Sequence, residues 1–388
     1  MAWRWSSELS GAVADIGVLV PIAVALIVKN GLSPTAVLLP AGLLYVAVAW
    51  AYRLPVPVQP LKALGAIAIA QGLGSDEIAA AALLMGGIFL VLGLTRALDV
   101  AARAFPRALI RGIQLTVGLL FLEIAWGLVA HPPESFASHA LDARWAVPLA
   151  AFVLVAAVAF RRRTVTLLLV GVGVAAMILT AEGPVAFGPS DVQLPTLGAA
   201  TFWTALTVLV LPQLPLSFAN SCLATADAAT TYFAGRATRV TPGRLATTLG
   251  CANLVAGAVS GMPVCHGAGG LTAHVAFGAR TWRAPLAIGS ALLVIGLTVG
   301  ASLGALLVAF PLPILAGLLA VAGLLHIGLL RDLAGRREWL VALLVGLLGF
   351  QLNLLAGLGA GLALWWGPAA VRALRGRLPT ARPSRDLA

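Results

Sequence analysis

The sequence predicts an all-α protein that crosses a membrane about fourteen times, and three observations predict it: its composition, its arginine distribution and an internal repeat. Of the 388 residues, 60% are apolar and only 10% are charged, with a mean hydropathy of +1.00. A typical soluble domain is about one-quarter charged. This composition leaves too little polar surface to cover a soluble fold, which excludes a soluble enzyme, a nucleic-acid-binding protein and a disordered regulator.

The apolar stretches set the number of spans. At about 20 residues for each span, fourteen spans use about 280 residues and leave about 108 for loops and tails. The predicted spans lie at about 8–28, 33–51, 57–73, 77–95, 106–129, 145–160, 164–181, 199–221, 243–261, 266–279, 284–309, 312–330, 338–355 and 357–371.

The basic residues predict the orientation. The chain has 25 basic residues, and all but Lys29 and Lys62 are arginines. Nearly all of these arginines lie in the breaks after even-numbered spans, whereas the breaks after odd-numbered spans hold acids such as Asp76, Glu134 and Asp191. Because arginine-rich loops stay in the cytoplasm, both termini are expected there, as in a protein of the bacterial inner membrane. The net charge of +11 is therefore interpreted as a topology signal.

The two halves of the chain resemble each other. Pro57 corresponds to Pro263, an offset of 206, and Gly112 and Gly118 correspond to Gly317 and Gly323, an offset of 205. Each half would hold seven spans, and an odd number makes the second half enter the membrane from the opposite side. The pattern predicts a seven-plus-seven inverted repeat, which is typical of secondary transporters.

Two spans are interrupted at matching places. Three prolines between residues 54 and 60 prevent a helix there, and a helix-forming stretch follows at 61–70. The tenth span repeats this pattern, with a non-helical start at 261–265. Non-helical backbone at membrane depth must line a cavity or be buried in protein. The third and tenth spans are therefore predicted to be half-helices whose N-termini face each other and form an anion site.

Polar residues and glycines near these N-termini are the candidate substrate-binding residues. They are Gln59, Pro60, Lys62, Gln213, Asn220, His266, Gly267, Ala268 and Gly269. Lys62 would add a full charge to the site, or it would extend to an interface instead. His266 would donate to an anion, carry a proton, or bond to the backbone as a buried histidine.

Acidic residues within spans are costly and are functional candidates. Asp15 is the first candidate for proton coupling, and Glu8 and Glu123 are the others. The alternative for Asp15 is an ion pair with Lys62 or Arg280. The adjacent Cys265 and His266 do not predict an enzyme, because neighbouring side chains in an extended segment point to opposite sides. No metal or other cofactor is predicted.

At these motifs the sequence resembles the molybdate transporter family, a branch related to the sulfate permeases. The stretch PVQPLKALGAIAI at 57–69 resembles the first signature of the family, and GMPVCHGAGGL at 261–271, followed by FGAR at 277–280, resembles the second. Segments 8–21, 105–118 and 213–216 also look like family segments. The chain departs from the family pattern at Leu61, where methionine is usual, and at His274 and Val275, where a Gln-Tyr pair is usual.

The resemblance implies the sulfate permease and nucleobase transporter fold. It implies a core domain formed by 1–104 (spans 1–4) and 199–310 (spans 8–11), a gate domain formed by 105–198 (spans 5–7) and 311–378 (spans 12–14), and a cytoplasmic tail at 379–388. It also implies a tetrahedral oxyanion substrate, with molybdate favoured over sulfate or tungstate, and a homodimer is an open option. We expect secondary active transport by alternating access, with proton coupling.

Three other functions remain open. A bicarbonate or nucleobase transporter would share the fold, and an anion channel would share the site. A nucleobase site needs carboxylates on the eighth and tenth spans to bind ring N–H groups. The tenth span offers His266 and glycines instead, which favours an oxyanion.

Overall fold

The computed structural model describes residues 5–103, 106–159, 163–180 and 185–375. The predicted tail at 379–388 lies outside the described residues. The described chain is helical apart from short connections and one small sheet. Its α-helices are α1 (Trp5–Ala12), α2 (Ile16–Asn30), α3 (Pro34–Tyr52), α4 (Lys62–Gln71), α5 (Ser75–Leu94), α6 (Ala97–Arg103), α7 (Arg107–Ala130), α8 (Ala143–Ala159), α9 (Arg163–Thr180), α10 (Ala199–Thr204), α11 (Leu211–Leu216), α12 (Thr225–Phe233), α13 (Pro242–Ala258), α14 (Ala268–Ala276), α15 (Arg283–Thr298), α16 (Leu303–Val308), α17 (Leu312–Ile327), α18 (Arg336–Gln351) and α19 (Leu354–Arg375).

Several of these helices are long and apolar enough to cross a membrane. Five qualify within the described ranges: Pro34–Tyr52, Ser75–Leu94, Arg107–Ala130, Ala199–Arg239 and Leu312–Asp332. The bent pair formed by α15 and α16 adds a sixth if it is counted as one span. Large apolar side chains also face outwards, among them Trp50 at 76% and Leu179 at 84% exposure, as expected of a surface that contacts lipid. The count of fourteen spans stays a prediction.

The helices pack reciprocally between the two halves. In one group α3 packs on α15 and α5 packs on α13; in a second group α7 packs on α17 and α18, and α8 packs on α17. By their order in the two halves, α3 corresponds to α13, α5 to α15, α7 to α17 and α8 to α18. Exchanging the halves therefore turns the α3–α15 contact into the α13–α5 contact, and the α7–α18 contact into the α17–α8 contact. The matched glycines Gly118 and Gly323 lie against each other, since a Cβ on either would lie 2.9 Å from the other's carbonyl oxygen. Reciprocal packing of this kind is what an internal repeat produces.

The two proline-rich segments meet as a small antiparallel sheet. Strand β1 (Gln59–Pro60) pairs with β2 (Val264–Cys265), with Gln59 opposite Cys265 and Pro60 opposite Val264. The backbone N–H of Leu61 donates to Pro263 O at 3.0 Å. Helix α4 begins directly after β1, and α14 begins three residues after β2. Proline cannot donate within a helix, so the chain is extended here and its backbone groups find partners on the other strand.

Three helical regions differ from the predicted spans. The first span is interrupted at Val13–Asp15 by a 3₁₀ turn, which places Asp15 at the junction of α1 and α2. The eighth continues beyond residue 221, because the region Ala199–Arg239 is continuous and contains π-helical turns at Ala205–Val210 and Ser217–Ala224. The eleventh bends by 82° between α15 and α16. At that bend Gly300 lies so close to Thr35 that a Cβ would overlap its hydroxyl.

The breaks between predicted spans contact other breaks of the same class: arginine-bearing with arginine-bearing, and acid-bearing with acid-bearing. Arginine-bearing breaks contact one another: Asp99 accepts from Gly243 N at 2.9 Å, and Arg236 donates to Arg280 O at 3.0 Å. Acid-bearing breaks also contact one another, as when Thr196 N donates to Asp76 at 3.0 Å. This separation agrees with helices that alternate in direction between two ends of the molecule.

Candidate functional site

A buried chain of hydrogen bonds crosses the sheet between the two half-helices. Lys62, in the first turn of α4, donates from Nζ to Gln59 Oε1 at 2.8 Å. Gln59 in turn donates from Nε2 to Asp15 Oδ1 at 2.7 Å. Gln59 and Asp15 are almost fully buried, and Lys62 is 8% exposed. The structure thus brings together Asp15, Gln59 and Lys62, three of the residues that the sequence singled out.

Asp15 has two further partners that the sequence did not predict. Tyr45 on α3 donates its hydroxyl hydrogen to Asp15 Oδ2. His274 on α14 places Nε2 2.9 Å from the same oxygen, and its Nδ1 lies 3.0 Å from Pro55 O. The aspartate, in the first predicted span, is therefore held from the second, third and tenth predicted spans at once. A buried carboxylate needs such partners, because its desolvation in an apolar interior is otherwise costly.

Glycines make room for this network. A Cβ on Gly267 would lie 2.5 Å from Gln59 Oε1 and 3.6 Å from Lys62 Nζ, and a Cβ on Gly270 would lie 2.7 Å from Asp15 Oδ1. A Cβ on Gly269 would lie 2.7 Å from the Phe121 ring of α7. Lys62 Nζ lies 5.5 Å from the centroid of that same ring, within cation–π range. The start of α14, the ammonium group and Phe121 therefore surround one small volume.

The N-termini of the two half-helices differ in their free donors. In α4, Gln213 Oε1 accepts from Leu64 N at 3.0 Å and so caps one of the first backbone N–H groups. In α14, the first-turn N–H groups belong to Ala268, Gly269 and Gly270, which have no acceptor within the helix. Gln213 therefore acts as a structural cap here, whereas α14 directs backbone donors and a partial positive charge towards Lys62.

His266 is turned away from this volume. Its Nδ1 contacts Pro57 O at 3.0 Å, its Nε2 contacts Thr248 Oγ1 at 2.8 Å, and the residue is fully buried. Both ring nitrogens are thus engaged by protein groups. In this conformation His266 fixes β1 relative to α13, and it is not free to donate to a substrate.

The remaining predicted residues lie at different distances from the network. Glu8 is fully buried and accepts from Arg280 N at 3.2 Å and Thr281 N at 3.2 Å, so it caps the turn after α14. Glu123 is exposed on α7. Asn220 is buried in the π-helical turn, and its Oδ1 has no hydrogen-bond partner in the described structure. Pro60 and Ala268 contribute backbone, at the end of β1 and the start of α14.

A second buried charge cluster lies among the arginine-bearing breaks and was missed from the sequence. Arg111 on α7 is 1% exposed, binds Asp332 with two guanidinium nitrogens, and also donates to Asp227. A further hydrogen bond runs from Arg111 to Gln114 Oε1 at 2.9 Å. We call this cluster the arginine bridge. A cavity of about 470 Å³ lies beside it, lined by Ile110, Asp227 and Thr230 among others.

The missed residues did carry a sequence signal. Arg111 lies inside the fifth predicted span, and His274 lies inside the tenth. An ionisable residue within a span is a functional candidate by default. Arg111 is not singled out from the sequence above, and His274 is given there only as a departure from the family pattern.

The overall fold matches solved structures of anion transporters. The transmembrane domain of a cyanobacterial bicarbonate transporter, BicA, aligns with 92% of this chain and 98% of its own, with a TM-score of 0.57 at 19% identity. Murine solute carrier 26 family member A9, an anion transporter solved in the inward-facing state, aligns with 95% of this chain and 68% of its own, with a TM-score of 0.63 at 15% identity. The fold is that of this class of membrane transporters.

The sequence comparisons give the family. The family described as "Molybdate transporter of MFS superfamily" matches residues 7–121 and 205–325, one block in each half. Molybdate transporter 1 of Arabidopsis thaliana is 28% identical over 92% of this chain and 86% of its own length. Molybdate transporter 1 of Chlamydomonas reinhardtii is 27% identical over 97% and 93%.

The chain therefore belongs to the molybdate transporter family, as the signatures at 57–69 and 261–271 predicted, and it is an integral membrane anion transporter. The family description places it in the MFS superfamily, whereas the solved structures that share its fold are BicA and the solute carrier 26 protein. The fold is that of these solved transporters, which align with 92% and 95% of this chain.

Proposed function

We propose that this protein is a secondary active transporter of a tetrahedral oxyanion, with molybdate as its preferred substrate. The substrate binds between the N-termini of α4 and α14, in contact with Lys62 and the backbone of Gly267 and Gly269. The observation that carries the proposal is Lys62 itself. Its ammonium is buried, bonded to a neutral amide, and faces the glycine-rich start of the opposite half-helix.

This chemistry favours a small dianion over the alternatives. Molybdate offers only acceptor oxygens, and the ammonium and the α14 backbone N–H groups offer only donors. Hydrogen bonds to a charged group contribute about 1.5–3 kcal/mol each. A nucleobase presents ring N–H donors and would need acceptors in the same place. The carboxylate nearest to Lys62 along the network, Asp15, is separated from it by Gln59.

The transport cycle we propose uses the predicted inverted repeat. The core domain (1–104 and 199–310) carries the site, and it moves against the gate domain (105–198 and 311–378) to expose the site to each side in turn. Asp15 couples the cycle to protons. Two observations support this division: the reciprocal helix packing, and the separation of the α3, α5, α13 and α15 group from the α7, α8, α17 and α18 group.

Uptake into proteoliposomes tests the substrate. The full chain is reconstituted, and accumulation of radiolabelled molybdate is followed with and without an imposed pH gradient, with sulfate, tungstate, bicarbonate and uracil as competitors. We expect saturable uptake that the pH gradient drives and that tungstate and sulfate inhibit more strongly than bicarbonate or uracil.

Each alternative gives a distinct result in this assay. Molybdate uptake no greater than in empty vesicles, together with bicarbonate or uracil uptake, would replace the substrate and keep the fold. Uptake that does not saturate, with single-channel conductance in a planar bilayer, would make the protein an anion channel. Saturable uptake that is the same with and without the pH gradient would exclude proton coupling but would still support an oxyanion site.

A further inference from the structure

The contact between Asp15 and His274 determines how many protons these two side chains hold together. His274 Nδ1 lies 3.0 Å from Pro55 O, and a carbonyl oxygen only accepts, so Nδ1 carries a hydrogen. His274 Nε2 lies 2.9 Å from Asp15 Oδ2. If neither atom held a proton, an imidazole lone pair and a carboxylate oxygen would lie 2.9 Å apart in a fully buried site. Among the described residues Nε2 has no aligned hydrogen-bond partner, so the contact is an ion pair that forms when Nε2 is protonated.

Tyr45 does not remove this requirement. Its hydroxyl hydrogen goes to Asp15 Oδ2. Asp15 Oδ1 is already occupied by Gln59 Nε2. The phenol hydrogen therefore belongs to the contact between Tyr45 and Asp15. The separate contact between His274 Nε2 and Asp15 Oδ2 still needs one more proton.

We propose that Asp15 and His274 bind one shared proton, and that this pair, rather than Asp15 alone, is the proton-coupling site of the transporter. The inference deepens the proposed function and rests on it. In the loaded state the proton is on His274 Nε2, 2.9 Å from Asp15 Oδ2. On release it passes to solvent water, and it leaves an aspartate carboxylate beside a neutral imidazole.

The network connects this proton to the substrate. Asp15, Gln59 and Lys62 are joined by bonds of 2.7 and 2.8 Å. With the proton bound, the charges of Lys62, Asp15 and His274 sum to +1; without it they sum to zero. A dianion therefore binds more tightly to the loaded pair, and by linkage the proton binds more tightly when the anion is present. Proton and anion then move together, as in a symporter.

The other titratable groups near the pair, among the described side chains, each have a partner of their own. The Asp15–His274 pair is therefore the group that changes charge. Tyr45 from α3 contacts Asp15, and Lys62 from α4 reaches it through Gln59, whereas Cys265 in β2 directs Sγ to Pro60 O at 3.5 Å. Glu8 on α1 is turned to the backbone of Arg280 and Thr281. On α12 Tyr232 donates to Thr272, and on α7 Arg111 is held by its two aspartates.

The test measures how pH changes the affinity for the anion. Equilibrium binding of radiolabelled molybdate and of sulfate to the purified full chain is recorded across about pH 5 to 8, for wild type, His274→Gln and His139→Gln. Glutamine still donates to Asp15 but cannot carry the shared proton. The control residue His139 is half-buried in the loop before α8, where it contacts Ser138.

In wild type and His139→Gln the dissociation constant should rise with pH, by up to tenfold for each pH unit, because one proton is linked to binding. In His274→Gln it should stay flat over the same window. A folded His274→Gln protein that keeps the wild-type slope would overturn the proposal. A control that loses the slope as well would also overturn it, because the effect would then not belong to the pair.

A direct measurement separates this inference from the proposed function. Histidine ring ¹⁵N NMR of the wild-type chain should show one buried histidine that holds hydrogens on both nitrogens or shares one with a carboxylate, and this signal should disappear in Asp15→Asn. If no variant binds molybdate or sulfate, the proposed function fails, and the NMR still decides the pair. If His274→Gln does not fold, the wild-type NMR signal still tests the inference. A His274 that holds the same number of protons throughout the pH range of the binding assay would overturn it.

Discussion

The half-helix site and the arginine bridge are both buried charge clusters, and they use their cations differently. At the site, the ammonium of Lys62 is bonded to a neutral amide, with Asp15 one residue further along the network. At the bridge, the guanidinium of Arg111 is shared by two carboxylates, Asp227 and Asp332. The first arrangement leaves positive charge available to an incoming anion; the second leaves a negative surplus.

The two clusters also differ in what they connect. The site draws its groups from β1, α3, α4, α14 and the turn at Asp15. The bridge joins α7 to α12, which lies in the proposed core domain, and to the end of the helical region Leu312–Asp332. Helix α7 contacts both, because Phe121 faces Lys62 and Arg111 lies ten residues earlier, about 15 Å along the helix.

This contrast suggests separate tasks. A cation with a neutral partner is suited to binding and releasing a substrate. A cation clamped between α7 and α12, in the proposed gate and core domains, stabilises one arrangement of those domains, and its contacts must break if the domains move. Three predictions test the contrast.

The largest effect is expected from Arg111→Met. Removing the guanidinium leaves two carboxylates close together and partly buried, with side-chain exposures of 22% and 38%. Breaking a buried ion pair costs about 3–5 kcal/mol. We expect a marked fall in the thermal unfolding temperature of the detergent-solubilised protein and loss of uptake.

Arg144→Met is the matched control for that variant. Arg144 pairs with Asp142 at 3.7 Å, but both side chains are more than half exposed. A surface pair of this kind contributes about 0–1 kcal/mol. If both variants unfold at the same temperature, the bridge has no special role in stability.

Lys62→Met should weaken anion binding without unfolding the protein. The methionine keeps the packing against Phe121 and removes the charge. Loss of one charge-assisted hydrogen bond, about 1.5–3 kcal/mol, predicts an apparent substrate constant raised by about 10- to 100-fold. Lys29→Met is the control, because the only other lysine is exposed and pairs weakly with Glu134 at 3.7 Å. An unchanged constant in Lys62→Met would place the ammonium outside the site.

Local chemistry explains how much of this could be predicted from the sequence. Prolines at 55, 57 and 60 exclude a helix whatever surrounds them, so the two interrupted spans could be located. Lys62 and Gln59 follow directly from that location. Both are found within the network at the start of α4.

Contacts between distant helices could not be predicted in the same way. Arg111 and Asp227 are 116 residues apart, and their pairing depends on how α7 docks against α12. The same holds for Asp15 and His274. His266 shows the limit within one motif: the sequence leaves its ring free to face either side of β2, and the contacts with Pro57 and Thr248 decide the side. Span periodicity gives the depth of a residue in the membrane, but not its partner.

The smallest effect, and the sharpest test of the bridge as a gate, comes from comparing Asp227→Asn with Asp332→Asn. Each variant leaves Arg111 one carboxylate, so stability should change little in both. Of the two aspartates, only Asp227 links α7 to α12 in the proposed core domain, whereas Asp332 ends a helical region that packs on α7 in any case. Asp227→Asn should therefore change the maximal rate of molybdate exchange several-fold, about 1 kcal/mol in the barrier, at an unaltered substrate constant. Asp332→Asn should stay near the wild-type rate. Equal effects of the two variants on the rate would show that the bridge acts as a local charge cluster on α7 rather than as a contact between two moving parts.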